Sequence, residues 1–540
     1  MDKLPKLPIG IQTFEIIRTE GYLYVDKTKY LVDLIDNGRV YFLSRPRRFG
    51  KSLTVSTFDA LFSGKKELFK GLYAEEFLNR PNYKISPVVQ LDMSNLTTNT
   101  GVEGFHASIL ERLQENARHF GISLGSSAPG DAFYSLLKNV AEKHESPVVL
   151  LIDEYDSPIL RHVFDLPKVG EIRETLKDFY MRVKSADKYL RFVFMTGISK
   201  FSKMGVFSAL NNLKDISAKD DYATMLGYTE KELLSNFDGY LDKTAAKRKE
   251  TKEELIAKIR DYYDGFSFDG EERLYNPFST LNFFDDAAFK NYWFESGTPS
   301  VLVDYIRRHD LEVEAFRGRE VSENFTATAE IERASPESFL FQSGYLTIKA
   351  RNDGNLTLDY PNKEVLSSVA RLFLNGKFNA EGFDAEANRL SKVLANGDAE
   401  ELVQMYDRLL TSIPYDIYER EEKKYAAENR KRKIYPLAES FFHALLFSML
   451  WSSCLQTTAE NHSYKGRSDI ETEKNGHHYV IELKIADGKE ASEKAAEEAL
   501  RQIREKGYAD KYAGQNAILL GLGVDREARR VGKAKMERVP

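Results

Sequence analysis

A single cysteine, Cys454, in 540 residues is the first absence with consequences. One thiol cannot form an internal disulfide, which excludes a cystine-stapled extracellular scaffold and fits a reducing compartment. Long apolar runs are missing too. The longest, Phe441 to Trp451, is interrupted by His443 and falls short of the roughly 20 apolar residues that cross a bilayer. The opening stretch, MDKLPKLPIG, lacks the apolar core of a signal peptide. These absences set the expectation of a cytoplasmic protein with no membrane partner. Nor is charge of one sign in excess: 77 Lys and Arg stand against 83 Asp and Glu, a net charge of −6. Any surface for nucleic acid must therefore be local. What remains, 42% hydrophobic and 30% charged, is the composition of an ordinary globular chain, long enough for three or so domains.

The chain is organised around Phe42 to Asp59, FLSRPRRFGKSLTVSTFD. An apolar run enters a turn rich in Arg and Pro, and Gly50-Lys51-Ser52 opens a helical stretch. Strand, loop and helix in that order form the context of a phosphate-binding loop, whose backbone N–H groups and helix N-terminus face phosphate oxygens. Lys51 would reach the outer phosphates and the Ser52 hydroxyl would ligate Mg²⁺. Arg45, Arg47, Arg48, Phe49, Gly50 and Leu53 complete the candidate ATP contacts. The usual spacing GxxxxGK[ST] asks for Gly at position 45, and this chain has Arg45.

A second stretch strengthens the reading. Pro147 to Asp156, PVVLLIDEYD, is an apolar run ending in acids, as expected of a strand buried on both faces of a parallel sheet. Acids at its C-terminal end lie where open α/β sheets bind ligands. Asp153 would hold the metal through water, and Glu154 would polarise the attacking water. The bland alternative is a sheet edge with solvated acids.

Strand–helix alternation over about 200 residues predicts a doubly wound parallel sheet. Val88 to Met93 reads as a strand, Phe105 to Phe120 and Gly130 to His144 as covering helices, and Tyr189 to Ser199 as a strand. A polar residue ending that last strand suits a γ-phosphate sensor; Thr196 fits, with Ser199 as the alternative, and a capping Thr is an equally simple reading. Beyond Leu226 come a helix start at Thr229, a charged helical stretch from Lys243 to Tyr263, and aromatic-rich pieces including Phe278, Phe283 and Phe284, which suggest packing. Phe339 to Val365 reads as a hairpin turning at Asn352-Asp353-Gly354, the wing of a winged-helix-like unit, and residues 385 to 412 as helical.

The far end carries a second constellation. A helix, YPLAESFFHALLFSMLW, has one carboxylate, Glu439. Then GRSDIETEKNGHHYVIELKIA places Asn475-Gly476 between two extended runs. A two-residue turn pairs Lys474 with His477, and counting back sets Asp469 opposite Glu482, with Cβ atoms about 5 Å apart. Glu482 and Lys484 share a face by period two. Opposed acids repel unless a cation lies between them, and Mg²⁺ takes one or two carboxylates plus substrate phosphate. The alternative is a hairpin with charges on a solvated face. Basic clusters flank the region, Arg430 to Lys433 before it and Arg526 to Arg538 at its end.

GIQTFEIIRTEGYLYVDKT followed by YFLSRPRRFGKS resembles the start of a predicted AAA-ATPase-like family of bacteria, whose members usually carry a PD-(D/E)XK nuclease-like domain at the far end. The resemblance implies that Tyr24 and Asp26 lie near the adenine, that Arg at position 45 is ordinary in the family, and that the aromatic-rich region is a helical lid. It also implies that Asp469 with Glu482-Leu483-Lys484 forms the nuclease motif, with Glu439 as the helix-borne acid and Gln502 as a helper; Ser468 stands where the motif has Pro. The expected organisation is an ATPase domain over 1–222, a lid and winged-helix-like region over 223–370, a helical connector over 371–415 and a nuclease-like α/β domain over 416–540.

The leading functional reading is an ATPase coupled to a Mg²⁺-dependent nuclease, with DNA favoured over RNA as partner and a homo-oligomer left open. The rival is a signalling or binding ATPase whose nuclease-like domain holds nucleic acid or a partner protein without cutting. A P-loop phosphotransferase is disfavoured because no acceptor site is evident.

Overall fold

Two five-stranded sheets dominate the molecule, each the centre of its own unit. The computed structural model describes residues 4–200, 213–295, 300–309, 311, 313–326, 334–379, 383–428, 439–453, 456–463 and 466–539. Cys454 and the Arg430 to Lys433 cluster lie outside the described residues. The chain divides into Met1–Ser296 with Gly318–Asn362, and Gly297–Arg317 with Lys363–Pro540. The expected helical connector therefore falls within the second unit, beside the C-terminal sheet.

In the first unit the strands are β1 (Val40–Ser44), β2 (Val88–Asp92), β3 (Val148–Asp153), β4 (Leu190–Gly197) and the short β5 (Lys214–Asp215). Their order is β2-β3-β4-β1-β5, and every pairing is parallel. β3 is buried along its whole length, which explains its unbroken apolar sequence: both faces are covered. Phe192 and Phe194 of β4 pack at 5.2 and 4.9 Å on Phe58, from the helix Lys51–Phe62 that follows β1. This contact carries the sheet's register into the helix that opens at the phosphate loop.

In the helical middle region Thr229 caps the helix Glu230–Asn236 through a capping box with Glu232. The charged helical stretch from Lys243 to Tyr263 falls in two helices, Asp238–Arg248 and Lys252–Tyr263. Lys249 turns left-handed at φ 58°, and Thr251 with Glu254 forms a second capping box that restarts the helix. Phe283 and Phe284 lie in a hydrophobic core with Phe237, Tyr263 and Tyr275, as packing residues should. The hairpin forms as β7 (Thr347–Asn352) and β8 (Asn355–Asp359), and β6 (Arg319–Ser322) adds a third antiparallel strand to β8.

In the second unit the strands are β9 (Gln456–Ser463), β10 (Gly466–Lys474), β11 (His477–Ala486), β12 (Ala517–Asp525) and β13 (Arg530–Val539), ordered β13-β12-β11-β10-β9. Only β11 and β12 run parallel; the helix Lys489–Glu505 is their crossover and packs on both. Its close fit depends on Gly521 and Gly523 of β12, where a Cβ would meet backbone atoms of Leu500 and Ser492 at 2.5 and 1.8 Å. Residues 385–412 are two helices, Phe383–Ala395 and Ala399–Ser412, broken at Gly397 with φ 70°. Among the described residues no helix is long and apolar enough to cross a membrane.

Candidate functional sites

The phosphate loop is Arg45 to Gly50. Gly50 adopts φ 96° immediately before the helix Lys51–Phe62, a conformation that glycine takes without strain. The ammonium of Lys51 folds back onto the loop, 3.1 Å from the carbonyl oxygens of both Arg45 and Pro46. A cation held by two carbonyls, at the opening of a helix, is suited to exchange them for phosphate oxygens. Next to it, Ser52 hydrogen-bonds Asp153 at the end of β3. Burial pushes the Asp153 carboxyl up, while Ser52 and the Lys51 ammonium pull it back. Lys51, Ser52 and Asp153, about 100 residues apart in sequence, thus meet across β4, because β1 and β3 flank that strand in the sheet.

Glu154 follows with φ 50°, a left-handed conformation for a non-glycine residue at a functional edge. Thr196, one residue before the end of β4, lies opposite Leu43; its hydroxyl is buried and has no hydrogen-bond partner among the described residues. Ser199 is different. Its hydroxyl and N–H both donate to Asp156, at 2.5 and 2.6 Å, so this alternative sensor is already engaged. Asp156 is fully buried, and burial raises its pKa to about 6.

The remaining loop residues divide between backbone and core. Arg45, a candidate ATP contact, has its side chain turned into the protein. It is 1% exposed, its guanidinium donates to the carbonyls of Ser44, Ser217 and Tyr222, and it lies 4.0 Å over the Phe268 ring. Burial lowers its pKa to about 9, so it stays charged at neutral pH. It braces the loop from behind, where a glycine would leave these carbonyls without that donor. Phe49 is also core, edge-on to Phe266 and Phe268 at 5.0 and 5.6 Å. Arg47 is exposed and its carbonyl accepts from the Trp293 indole, while Arg48, at φ 68°, lies over Phe278. Leu53 is half-buried on the first turn of the helix.

The pair expected near adenine is held by other partners. Asp26 accepts from the N–H and hydroxyl of Thr28 and from the N–H of Tyr73, which uses both carboxylate oxygens. Tyr24 bonds Thr57 and meets Phe14 edge-on at 5.1 Å. These contacts set the entry to the helix Thr28–Asn37 and join the N-terminal segment to the phosphate-loop helix.

In the second unit the hairpin turns at Asn475 and Gly476, both left-handed at φ 51° and 77°, the signature of a type I′ turn. Lys474 pairs with His477 and the register runs back to Ile470–Ile481. One residue further, Asp469 and Glu482 meet: the Asp469 N–H donates to Glu482 Oε2 at 3.3 Å, and Asp469 Oδ2 accepts from the Leu483 N–H at 2.9 Å. Gln502, from the crossover helix, donates to the other Glu482 oxygen. Glu482 is 1% exposed; burial and then the neighbouring Asp469 raise its pKa to about 8. Lys484 acts against that rise. Glu439, at the start of the helix Glu439–Trp451, lies in the field of Lys484, Asp469 and His443, and burial raises its carboxyl as well.

The five expected residues therefore share one neighbourhood, drawn from two helices and two strands. His443 is a sixth that composition alone hid among apolar neighbours. The signal was its spacing: Glu439 and His443 are four apart, on one face of an otherwise apolar helix. Among the described residues no three His, Cys, Asp or Glu side chains gather closely enough to hold a metal by themselves.

A P-loop ATPase-like unit and a nuclease-like unit in one chain define the class. Residues 8–207 match the predicted AAA-ATPase family, and residues 437–533 match the PD-(D/E)XK nuclease superfamily. A protein of Azotobacter chroococcum mcd 1, described as an uncharacterized protein in the vnfD 5′ region, is 33% identical over 536 residues, spanning 97% of this chain and 98% of its own. The chain belongs to the predicted AAA-ATPase family, with a PD-(D/E)XK nuclease superfamily domain at its far end.

Proposed function

We propose that the protein binds and hydrolyses ATP and couples it to a Mg²⁺-dependent nuclease acting on DNA or RNA, with DNA the favoured partner. The observation that carries the nuclease half is Glu482: a carboxylate 1% exposed, raised to about 8, and set against a second carboxylate. Such a pair is costly in isolation and becomes favourable once a cation lies between its members. The donors present are hard oxygens, and the absence of a three-ligand cage among the described residues suits Mg²⁺, which keeps waters and takes substrate oxygens. When bound, the metal would stabilise charge on the phosphoryl oxygens and lower the pKa of the attacking water. Asp469 and Glu482 would hold it. Gln502 keeps the Glu482 carboxylate in one orientation, Lys484 would neutralise charge growing on the phosphorus centre, and Glu439 would attract the Lys484 ammonium and hold a proton nearby.

In the ATPase half, Lys51 would bind the outer phosphates, Ser52 and Asp153 would hold the nucleotide's metal ion, and Glu154 would polarise water. The buried Thr196 hydroxyl, without a hydrogen-bond partner among the described residues, supports its role towards the γ-phosphate. The test is incubation of the purified chain with Mg²⁺ and single- or double-stranded DNA or RNA, with and without ATP. Mg²⁺-dependent strand cleavage whose rate changes with ATP is expected. Intact substrate in every mixture would overturn the nuclease reading in favour of a non-cutting binding module.

A further inference from the structure

Asp469 leaves the regular ladder at the point where the nuclease-like site is built. On one side pairing of β10 with β11 is regular as far as Ile470–Ile481. On the other, Ser468 and Ile470 pair with Asn461 and Ala459 of β9, while Asp469 between them has no β9 partner in the register among the described residues. Its polar groups turn instead to residues of the site. The N–H donates to the Glu482 carboxylate at 3.3 Å, the side chain accepts the Leu483 N–H at 2.9 Å, and the carbonyl lies 3.0 Å from His443 Nε2. A carbonyl only accepts, so His443 Nε2 carries a proton and donates it.

We propose that His443 is a positioning residue of the nuclease-like site: its Nε2–H replaces the ladder bond that the Asp469 carbonyl has given up, and so holds the Asp469 carboxylate turned towards Glu482. The inference rests on the reading of Asp469 and Glu482 as the cutting pair. His443 is itself well fixed. Its ring stacks on Phe447 at 6.2 Å and 13°, and it sits on the helix Glu439–Trp451, whose Phe442, Leu445 and Leu446 are buried. A half-buried carbonyl without this donor would turn to find another, and the peptide turning with it would swing the carboxylate. Outer partners of this kind typically change metal affinity or activity by about 10–100-fold when removed.

The test compares His443→Phe, which keeps a ring for the Phe447 stack and has no donor, with His443→Gln, which restores an N–H. Two readouts are taken on the full chain: amide hydrogen exchange at Leu483, and steady-state cleavage with Mg²⁺. In His443→Phe the Leu483 amide is expected to exchange about tenfold faster while the rest of the unit is unchanged. Its kcat falls about 10–100-fold with little change in KM. His443→Gln recovers most of both. Wild-type exchange at Leu483 in His443→Phe, uniformly faster exchange across the unit, or failure of Gln to restore what Phe lost would each overturn the proposal. Wild-type protein that cuts nothing refutes the nuclease reading instead, and the exchange comparison still decides the role of His443.

Discussion

Asp153, at the end of β3, and Glu482, in the middle of β11, are both buried carboxylates on sheet strands, yet they sit in opposite electrostatic surroundings. Asp153 has a cation and a hydroxyl built in, Lys51 and Ser52, which oppose the effect of burial. Glu482 has a second acid, Asp469, adding to burial, with Lys484 as the opposing cation, and its pKa reaches about 8. The first site carries positive charge of its own for an anionic ligand. The second sets two acids together, with Lys484 opposing them. Local sequence supplies the cation and hydroxyl of the first, since Gly50, Lys51 and Ser52 are consecutive, and sheet order brings Asp153 to them. Register and crossover build the second, bringing together Glu439, Asp469, Glu482 and Gln502.

The comparison is broken most sharply by removing the second site's acids. Asp469→Ala or Glu482→Ala should lower cleavage by about three orders of magnitude or more, because too few ligands remain to position metal and water. The double variant should be no worse than either single, and ATP hydrolysis should be unaltered. Single-turnover cleavage beside a phosphate-release assay checks all three.

At the first site, Glu154→Gln should bind ATP and hydrolyse it roughly 100- to 1000-fold more slowly, as loss of one preorganised group at the reacting phosphate predicts. Lys51→Ala should lose binding in calorimetry. Wild-type affinity in Lys51→Ala would remove the contrast between a site built around a cation and one built around two opposed acids.

Arg45 sharpens the comparison from the side of stability. Arg45→Gly restores the common loop spacing, yet it should destabilise the first unit by about 3 kcal/mol, since a buried charged group is removed and the carbonyls of Ser217 and Tyr222 lose their donor. Chemical denaturation with a probe in that unit measures it; unchanged stability would show that the brace is dispensable.

Glu482 gives a smaller effect with a definite sign. Its folded pKa, about 8, lies above the ordinary carboxylate value, so between about pH 5 and 8 the folded protein binds more protons than the unfolded one. Without divalent cation the second unit should therefore lose stability as pH rises through that window. Glu482→Gln should flatten the loss, and Mg²⁺ binding at pH 7 should release a proton. Melting of both proteins from pH 5 to 9, and calorimetry in two buffers of different ionisation enthalpy, read these outcomes. The smallest effect concerns Arg430 to Lys433. If these side chains meet nucleic-acid phosphates, neutralising them should flatten the plot of log affinity against log salt, by up to about one unit for each phosphate they had neutralised.

How much of this was legible follows from how local each cause is. The phosphate loop, the acid-ended strand β3, the capping box at Thr229 and the Asn475-Gly476 turn were readable because each depends on neighbouring residues and on backbone chemistry that glycine, Asn or a capping Thr dictates. The hairpin register was readable for the same reason, since a two-residue turn sets every pair behind it. The break at Lys249 could have been read from Thr251 and Glu254, but the charged pattern ran through it.

Three things were decided only in three dimensions. The sequence placed Arg45 in the loop, but the direction of its guanidinium depended on which carbonyls the segment after β5 and the ring of Phe268 brought behind it. Asp26 and Ser199 looked available for ligand, and tertiary partners engaged them: Tyr73 for the first, beside its local bonds to Thr28, and Asp156 for the second. His443 looked like an interruption in an apolar run until the helix met the carbonyl of Asp469. Sequence by itself determined which backbone turns and which strand faces exist, because those follow from short-range sterics and period. Tertiary structure decided which polar groups remain open to a ligand, because most buried donors and acceptors take whatever partner the fold brings within reach.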